Sequence, residues 1–371
     1  MRNIVIVGAG IAGLTAGIYA LQSGFDVTIY ESHTIPGGAS TSWRRKGYIF
    51  EGGMHWLTGS SPDIPLNRLW REVGALDDSV AVHYRDVFLT FEYEGQTARL
   101  YRDVERLHNH LIELSPEDGR EISKLCCDLK RFAKLNMPMT DIKGLKTKKK
   151  SFMSLGTILR MLPALPKMPY YARQSAKEYG MRYKSELLQR LFENIIGPDY
   201  SATALVFTLA TLASGDGGYP EGGSLSMALR MAKKLDILGG KIRYGMRVNT
   251  VSVRNGIADG VVVDGELLQS DAVIVTRDTL SAIDDLFDFP IREPWTERMR
   301  KVTKPLFNTF ICFGIEVDLE GLPERMDFVP MRPLMCGGKE EQVIKICNYA
   351  GYEGYAPKGC TAVTSAIIGD T

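Results

Sequence analysis

The first thirty-one residues constrain this chain more than any other stretch. Asn3-Ile-Val-Ile-Val7 is a short β-branched apolar run, which suits a strand buried on both faces. Gly8-Ala9-Gly10-Ile11-Ala12-Gly13 follows at once and opens a helical stretch through Leu14, Ala16, Ile18 and Leu21. Gly24 ends that stretch, and Asp26-Val-Thr-Ile-Tyr-Glu31 reads as a second strand with an acid at its end. In such a unit Gly8 makes the tight turn and Gly10 lets backbone approach a pyrophosphate. Gly13 lets helix and strand pack closely, and the helix N-terminus faces the phosphate charge. Glu31, 18 residues after Gly13, stands where a carboxylate accepts from both ribose hydroxyls. An acid there disfavours a nucleotide with a 2′-phosphate, leaving NAD and FAD. A bare tight turn in an α/β protein is the simpler alternative, and the acid at position 31 argues against it.

At 371 residues the chain is long enough for two domains and a well-buried core. Its 44% hydrophobic and 24% charged content excludes disorder and collagen-like structure. Forty-five Lys and Arg against 44 Asp and Glu leave a net charge of +1, so the chain is not a basic coat for nucleic acid. The six cysteines (126, 127, 312, 336, 347 and 360) show no CxxC spacing, and the five histidines lack metal spacing. That pattern suggests a reduced, cytoplasmic protein with no structural metal. Asn3 to Phe25 is uncharged over 23 residues and imitates a signal peptide, but its five glycines fit the nucleotide-binding unit better.

Gly37-Gly38 comes six residues after Glu31, followed by Ala39-Ser40-Thr-Ser, Trp43, Arg44-Arg45-Lys46 and Gly47-Tyr-Ile-Phe-Glu-Gly-Gly53-Met54-His55-Trp-Leu-Thr-Gly59. These residues resemble the phytoene desaturase, carotenoid isomerase and retinol saturase group, within the amine-oxidase-like flavoproteins. The resemblance implies FAD rather than NAD. It implies an α/β fold: a Rossmann-like FAD-binding domain with a parallel sheet, interleaved with a mixed α+β substrate domain. Cofactor contact is expected from Gly8, Ala9, Gly10, Ile11, Ala12, Gly13, Glu31 and Ser32, then from Gly37, Gly38, Ala39 and Ser40, and from Gly53, Met54 and His55. One departure stands out. Many relatives carry an arginine directly after the glycine pair, where this chain has Ala39, and Arg44 and Arg45 are the alternatives for that charge.

The resemblance resumes at Gly217-Gly-Tyr-Pro-Glu-Gly-Gly-Ser224, a glycine-rich entry to a helix that should end at Gly239-Gly240. Short strands follow, with Asp264-Gly265 as a hairpin turn. The resemblance implies that this block returns to the nucleotide domain and that the Val248 backbone meets the adenine. Strand core is the alternative for Val248. Expected domains are 1–85 with 215–290 for FAD, and 86–214 with 291–371 for substrate. In the latter, strands are expected from Val87 to Leu100, helix from Val104 toward Leu135, and a strand over Leu306–Ile315.

Lys143 to Arg190 holds 12 Lys and Arg and two acids, a local excess of ten positive charges. Lys148-Lys149-Lys150 precedes a run of apolar residues, and prolines at 163, 166 and 169 stop a regular helix. This suits peripheral contact with an anionic membrane, placing the chain in the cytoplasm at the inner membrane surface. A solvated lysine loop is the alternative. No nucleic-acid recognition module is visible, and oligomeric state is not legible.

The resemblance implies hydride transfer between flavin and a small apolar polyene or isoprenoid-like substrate, as desaturation, saturation or isomerisation. No protein nucleophile is needed, and His55 is the one candidate for proton transfer. Relatives carry a further glycine-rich segment that closes over the flavin, and without it weak FAD binding is expected. The alternatives are an amine-oxidase-like flavoenzyme acting on a polar amine, and an inactive nucleotide-binding relative.

Overall fold

The computed structural model describes residues 2–135, 162–289, 291–303, 307–332, 334–336 and 338–369. Its first layer is a parallel sheet in the order β13 (Ala272–Val275), β1 (Asn3–Val7), β2 (Asp26–Tyr30), β9 (Lys241–Arg243). The apolar run of β1 is buried from Ile4 to Val7, as a strand covered on both faces requires. One face carries the helices Ile11–Gln22 and Gly223–Ile237, in a core with Leu14, Ile18, Met231 and Leu235. The other face packs Val5 and Val7 against Val248, Val251 and Val261 of a three-stranded antiparallel sheet, β10 (Val248–Arg254), β11 (Ile257–Val263) and β12 (Glu266–Gln269). Asp264 and Gly265, both at positive φ, make the turn from β11 to β12 as expected. The same chemistry at Asn255-Gly256 turns β10 into β11.

A six-stranded sheet forms the second layer, in the order β14 (Phe307–Ile315), β19 (Thr361–Gly369), β18 (Ile344–Asn348), β15 (Arg325–Phe328), β6 (Val87–Tyr93), β7 (Gln96–Tyr101). Phe88, Leu89, Phe91 and Leu100 share a core with the helices Val104–Leu114, Gly119–Phe132, Glu186–Asn194 and Ala202–Ala213. The helical stretch after Val104 is not continuous. It breaks at Ser115-Pro116, where Pro116 has no N–H to continue the ladder and Ser115 is extended at φ −148°. Buried Asp118 uses the break, accepting from the Ser115 hydroxyl and from the N–H groups of Lys184 and Ser185.

Three two-stranded ribbons complete the sheets: β3 (Ser42–Arg45) with β4 (Tyr48–Glu51), β5 (Val82–His83) with β8 (Tyr219–Pro220), and β16 (Leu334–Cys336) with β17 (Lys339–Glu341). The Arg44-Arg45-Lys46 triplet lies on the first of these, with Lys46 and Gly47 as its turn. Among the described residues no helix is long and apolar enough to cross a membrane. The Lys148-Lys149-Lys150 run and the apolar residues through Met161 lie outside the described residues.

Candidate functional site

The glycine turn between β1 and the first helix forms the floor of the site. Gly8 sits at φ +102° and donates its N–H to Tyr30 O at 2.9 Å. A Cβ on Gly13 would stand 2.0 Å from Gly8 O, so only glycine lets the helix approach this turn. Gly10 is the N-cap with no side-chain cap, and the first turn, Ile11, Ala12 and Gly13, carries no acid. The helix N-terminus is thus left for an anion from outside the chain.

Glu31 closes the end of β2 and is buried. Its Oε2 accepts from Ala9 N–H at 2.7 Å and its Oε1 from His33 N–H at 2.8 Å. Oε2 keeps a second lone pair for a hydroxyl. Ser32 Oγ stands 3.4 Å from Oε1. Gly37 donates to Ala9 O at 2.9 Å, and Gly37 and Gly38, both at positive φ, fold back over Gly10. Ala39 is exposed beyond them, and Ser40 N–H returns to Gly37 O. Val248 is buried in the valine core at the start of β10, two residues after Met246, whose N–H binds Glu31 O.

Glu51, a residue the sequence reading did not single out, joins the two glycine-rich segments. Its Oε1 accepts from the N–H groups of Gly53 and Met54 at 2.8 and 3.0 Å. Its Oε2 accepts from Ser224 N–H and the Tyr219 hydroxyl, each at 2.9 Å. Asp216, just ahead of the second glycine-rich segment, likewise accepts from Gly59 N–H, Ser60 Oγ and Ser61 N–H. A Cβ on Gly53 would lie 2.8 Å from Ala39 O, so the Gly53-Met54-His55 stretch is pressed against the residues following the glycine pair.

His55 lines a narrow cleft with Met54, Arg85, Phe88, Tyr219 and Arg325. His55 keeps an exposed surface at the mouth of this cleft while protein crowds around it. Burial, then the positive charges of Arg325, Arg85 and Lys345, lower its pKa to about 4, so the imidazole is neutral at pH 7. Cys347 Sγ lies 3.9 Å from His55 Nδ1, and burial raises that thiol's pKa. Burial also raises the hydroxyls of Tyr219, Tyr349 and Tyr355, which stack or hydrogen-bond beside Glu51. On the other side of the β3–β4 ribbon an open cavity of ≈ 970 Å³ is walled by Trp43, Tyr48, Phe50 and Phe310. Arg44, Arg45 and Lys46 line it too.

A parallel sheet whose first turn is shaped to lie under a nucleotide, interleaved with a second sheet and helices, defines a dinucleotide-binding α/β protein. The sequence pattern of the family described as flavin containing amine oxidoreductase matches residues 11–313, and the chain belongs to that family. A phytoene desaturase (lycopene-forming) of Pseudescherichia vulneris is 25% identical over 295 residues, 77% of this chain and 58% of that protein. An all-trans-zeta-carotene desaturase of Myxococcus xanthus is 26% identical over 355 residues, 89% of this chain and 63% of that protein. The chain thus spans about three fifths of the length of curated relatives such as these. An oxidoreductase structure from Methanosarcina mazei superposes with a TM-score of 0.62 at 20% identity, covering 98% of this chain and 78% of that one. A putrescine oxidase structure gives 0.59 at 16% identity, covering 99% and 75%.

The family's cofactor is a flavin, and the residues fit FAD. The uncapped helix N-terminus and the close approach at Gly13 suit a pyrophosphate, and the free lone pair on Glu31 Oε2 suits a ribose hydroxyl.

Proposed function

We propose that this chain belongs to a flavoenzyme that moves hydride between FAD and an apolar polyene or isoprenoid-like substrate. The observation that carries this reading is the open cavity of ≈ 970 Å³ with Trp43, Tyr48, Phe50 and Phe310 among its walls. Residues 1–85 and 215–290 carry the cofactor on this reading, and 86–214 with 291–371 supply the substrate side. The names of the relatives supply the substrate class.

Bound FAD supplies a two-electron acceptor, so desaturation removes one hydrogen with its electron pair and releases the neighbouring one as a proton. The protein's part is to bind and orient. Gly8, Ala9, Gly10, Ile11, Ala12, Gly13, Glu31 and Ser32 would hold the adenosine and pyrophosphate, and the Val248 backbone would meet the adenine. Gly37, Gly38, Ala39, Ser40, Gly53 and Met54 would supply the remaining cofactor contacts. Glu51 fixes the Gly53–His55 stretch through its four hydrogen bonds. His55 is neutral and touches the cleft, yet with a pKa near 4 it is a weak base. It positions rather than transfers, and His55→Gln should cost less than about tenfold in rate, below the usual range for a general base. The cations around it disfavour an ammonium substrate, which argues against the polar-amine reading.

The described part of the basic stretch supports membrane contact. Leu162, Leu165 and Met181 are exposed, with Lys167, Arg173, Lys177 and Arg182 interleaved in sequence. Flotation with anionic liposomes tests it, and absence of binding overturns it. The oxidoreductase reading is tested by incubating the FAD-loaded chain with phytoene and following visible absorbance. New bands at longer wavelength support it, and an unchanged spectrum with a folded, yellow protein counts against it.

A further inference from the structure

We infer that the open cavity between the β3–β4 ribbon and β14 takes an isoprenoid-like chain that ends in a phosphate or diphosphate, with Arg44, Arg45 and Lys46 holding the anion. The inference rests on the apolar-chain reading above and adds to it the class of end group. The cavity measures ≈ 970 Å³, at the upper end of the range of about 300–1,000 Å³ that small-ligand sites span. Phe310, Cys312 and Gly314 of β14 line one side, and residues of the ribbon line the other.

Cross-strand register sorts the ribbon. Trp43 stands opposite Phe50 and Arg45 opposite Tyr48, so these four side chains share one face. That face meets β14. The ring centroids of Trp43 and Phe310 are 6.2 Å apart, and a Cβ on Gly314 would stand 2.7 Å from the Tyr48 ring. A Cβ on Gly52 would meet the Trp43 ring at 2.4 Å, so glycine leaves that ring its place. The Tyr48 and Phe50 rings lie nearly parallel, with centroids 6.1 Å apart. Packing thus holds the aromatic wall, yet Trp43 keeps 48% of its surface exposed. A hydrocarbon chain laid on such a wall removes apolar area from water at little cost in side-chain ordering.

Exposed cations stay hydrated, and charge alone calls for no partner. Two observations give these three a role. Among the described residues no acid lines the cavity, and Glu316, just past β14, is the one whose charge reaches Tyr48. Arg44, Arg45 and Lys46 also form no ion pair among the described residues. Arg68, Arg71, Arg106, Arg254 and Arg300 are exposed too, and each of them holds a carboxylate. The ribbon therefore presents its donors unengaged, beside apolar rings.

The order along the ribbon matches the polarity of such a ligand. Lys46 and Gly47 make the turn, Arg45 and Tyr48 flank it, and Trp43 and Phe50 lie further back. Charge sits at the tip and aromatic rings behind it. A phosphate monoester carries about −1.5 to −2 charges, which three adjacent cations answer better than they answer the single charge of a carboxylate. The planar guanidiniums of Arg44 and Arg45 add paired donors that phosphate oxygens accept.

The test titrates the purified chain, with FAD present, against farnesyl diphosphate, farnesol and inorganic diphosphate by calorimetry at low salt. Farnesyl diphosphate should bind about tenfold or more tightly than either of the others. Raising the salt to about 0.5 M should remove most of that advantage and leave farnesol unchanged. The triple variant Arg44→Gln, Arg45→Gln, Lys46→Gln should erase the preference while farnesol affinity stays within about twofold, which also reports that it folds. Trp43→Ala should weaken farnesol and farnesyl diphosphate alike, by roughly threefold or more, and leave inorganic diphosphate unchanged. Equal binding of farnesyl diphosphate and farnesol by the unaltered chain overturns the anion site and leaves the apolar-chain reading standing. Inorganic diphosphate binding as tightly as farnesyl diphosphate overturns the joint site. Failure of all three to bind overturns both readings. A preference that survives the triple variant, or affinities that ignore Trp43→Ala, overturns the assignment to this cavity.

Discussion

The Ala9 N–H donates to Glu31 Oε2 at 2.7 Å, tying the glycine turn after β1 to the end of β2. One side chain thereby fixes the turn and presents a carboxylate at the strand end. Removing its charge should weaken FAD binding more than it weakens the fold. Glu31→Gln is expected to lower FAD affinity about tenfold or more, the worth of a charge-assisted hydrogen bond. Quenching of flavin fluorescence on titration reads this directly, and an unchanged affinity would remove Glu31 from the site.

Gly13→Ala should be more damaging. The added Cβ would lie 2.0 Å from Gly8 O and 2.9 Å from Thr276 Oγ1, and neither the turn nor the β13 end can yield cheaply. Overpacking of this kind costs about 1–3 kcal/mol, and the helix must also retreat from the pyrophosphate position. Urea unfolding should show the loss, with FAD binding abolished even where the variant folds.

Glu51 offers a sharper contrast between two substitutions. Its carboxylate accepts from Gly53, Met54 and Ser224 N–H groups and from the Tyr219 hydroxyl. Glu51→Ala leaves these donors without acceptors and should cost about 3 kcal/mol or more. Glu51→Gln keeps one carbonyl acceptor and should cost less. Denaturant midpoints for the two variants check the order, and equal midpoints would contradict it.

The depressed pKa of His55 gives stability a defined pH dependence. Its folded value, about 4, lies below the unfolded 6.5, so the unfolded chain binds the proton first. The His55 contribution is complete above pH 6.5 and is lost as pH falls toward 4. His110, also lowered by burial first, adds a slope of the same sign. His55→Gln should therefore lose less stability than the unaltered chain between pH 7 and pH 4.5, while keeping the part due to His110. Identical slopes would mean that His55 is not depressed.

What the sequence revealed, and what it hid, follows from the range of the interactions. The strand, glycine turn, helix and acid from Asn3 to Glu31 are local, and the parallel sheet they nucleate is the observed one. Asp264-Gly265 was legible for the same reason, and Asn255-Gly256 carried a signal of equal strength. Pro116 was visible as a helix breaker, but the apolar spacing on either side masked it. Arg325 and Cys347 pair in register across β15 and β18, and Arg85 reaches the same cleft from the loop between β5 and β6, so no spacing announces them. Glu51 lay inside a recognised stretch, yet its role depends on Ser224 and Tyr219, more than 160 residues away.

The central claim is that the frame from Gly8 to Gly53 holds FAD, and the most direct measurement is equilibrium titration of the purified chain with FAD and, separately, FMN. FMN lacks the adenosine that Glu31 and the Val248 backbone are proposed to meet. Saturable binding of FAD, with FMN far weaker and Glu31→Gln reducing the difference, is the predicted result. A folded chain that binds neither flavin, or binds both equally, would contradict the account.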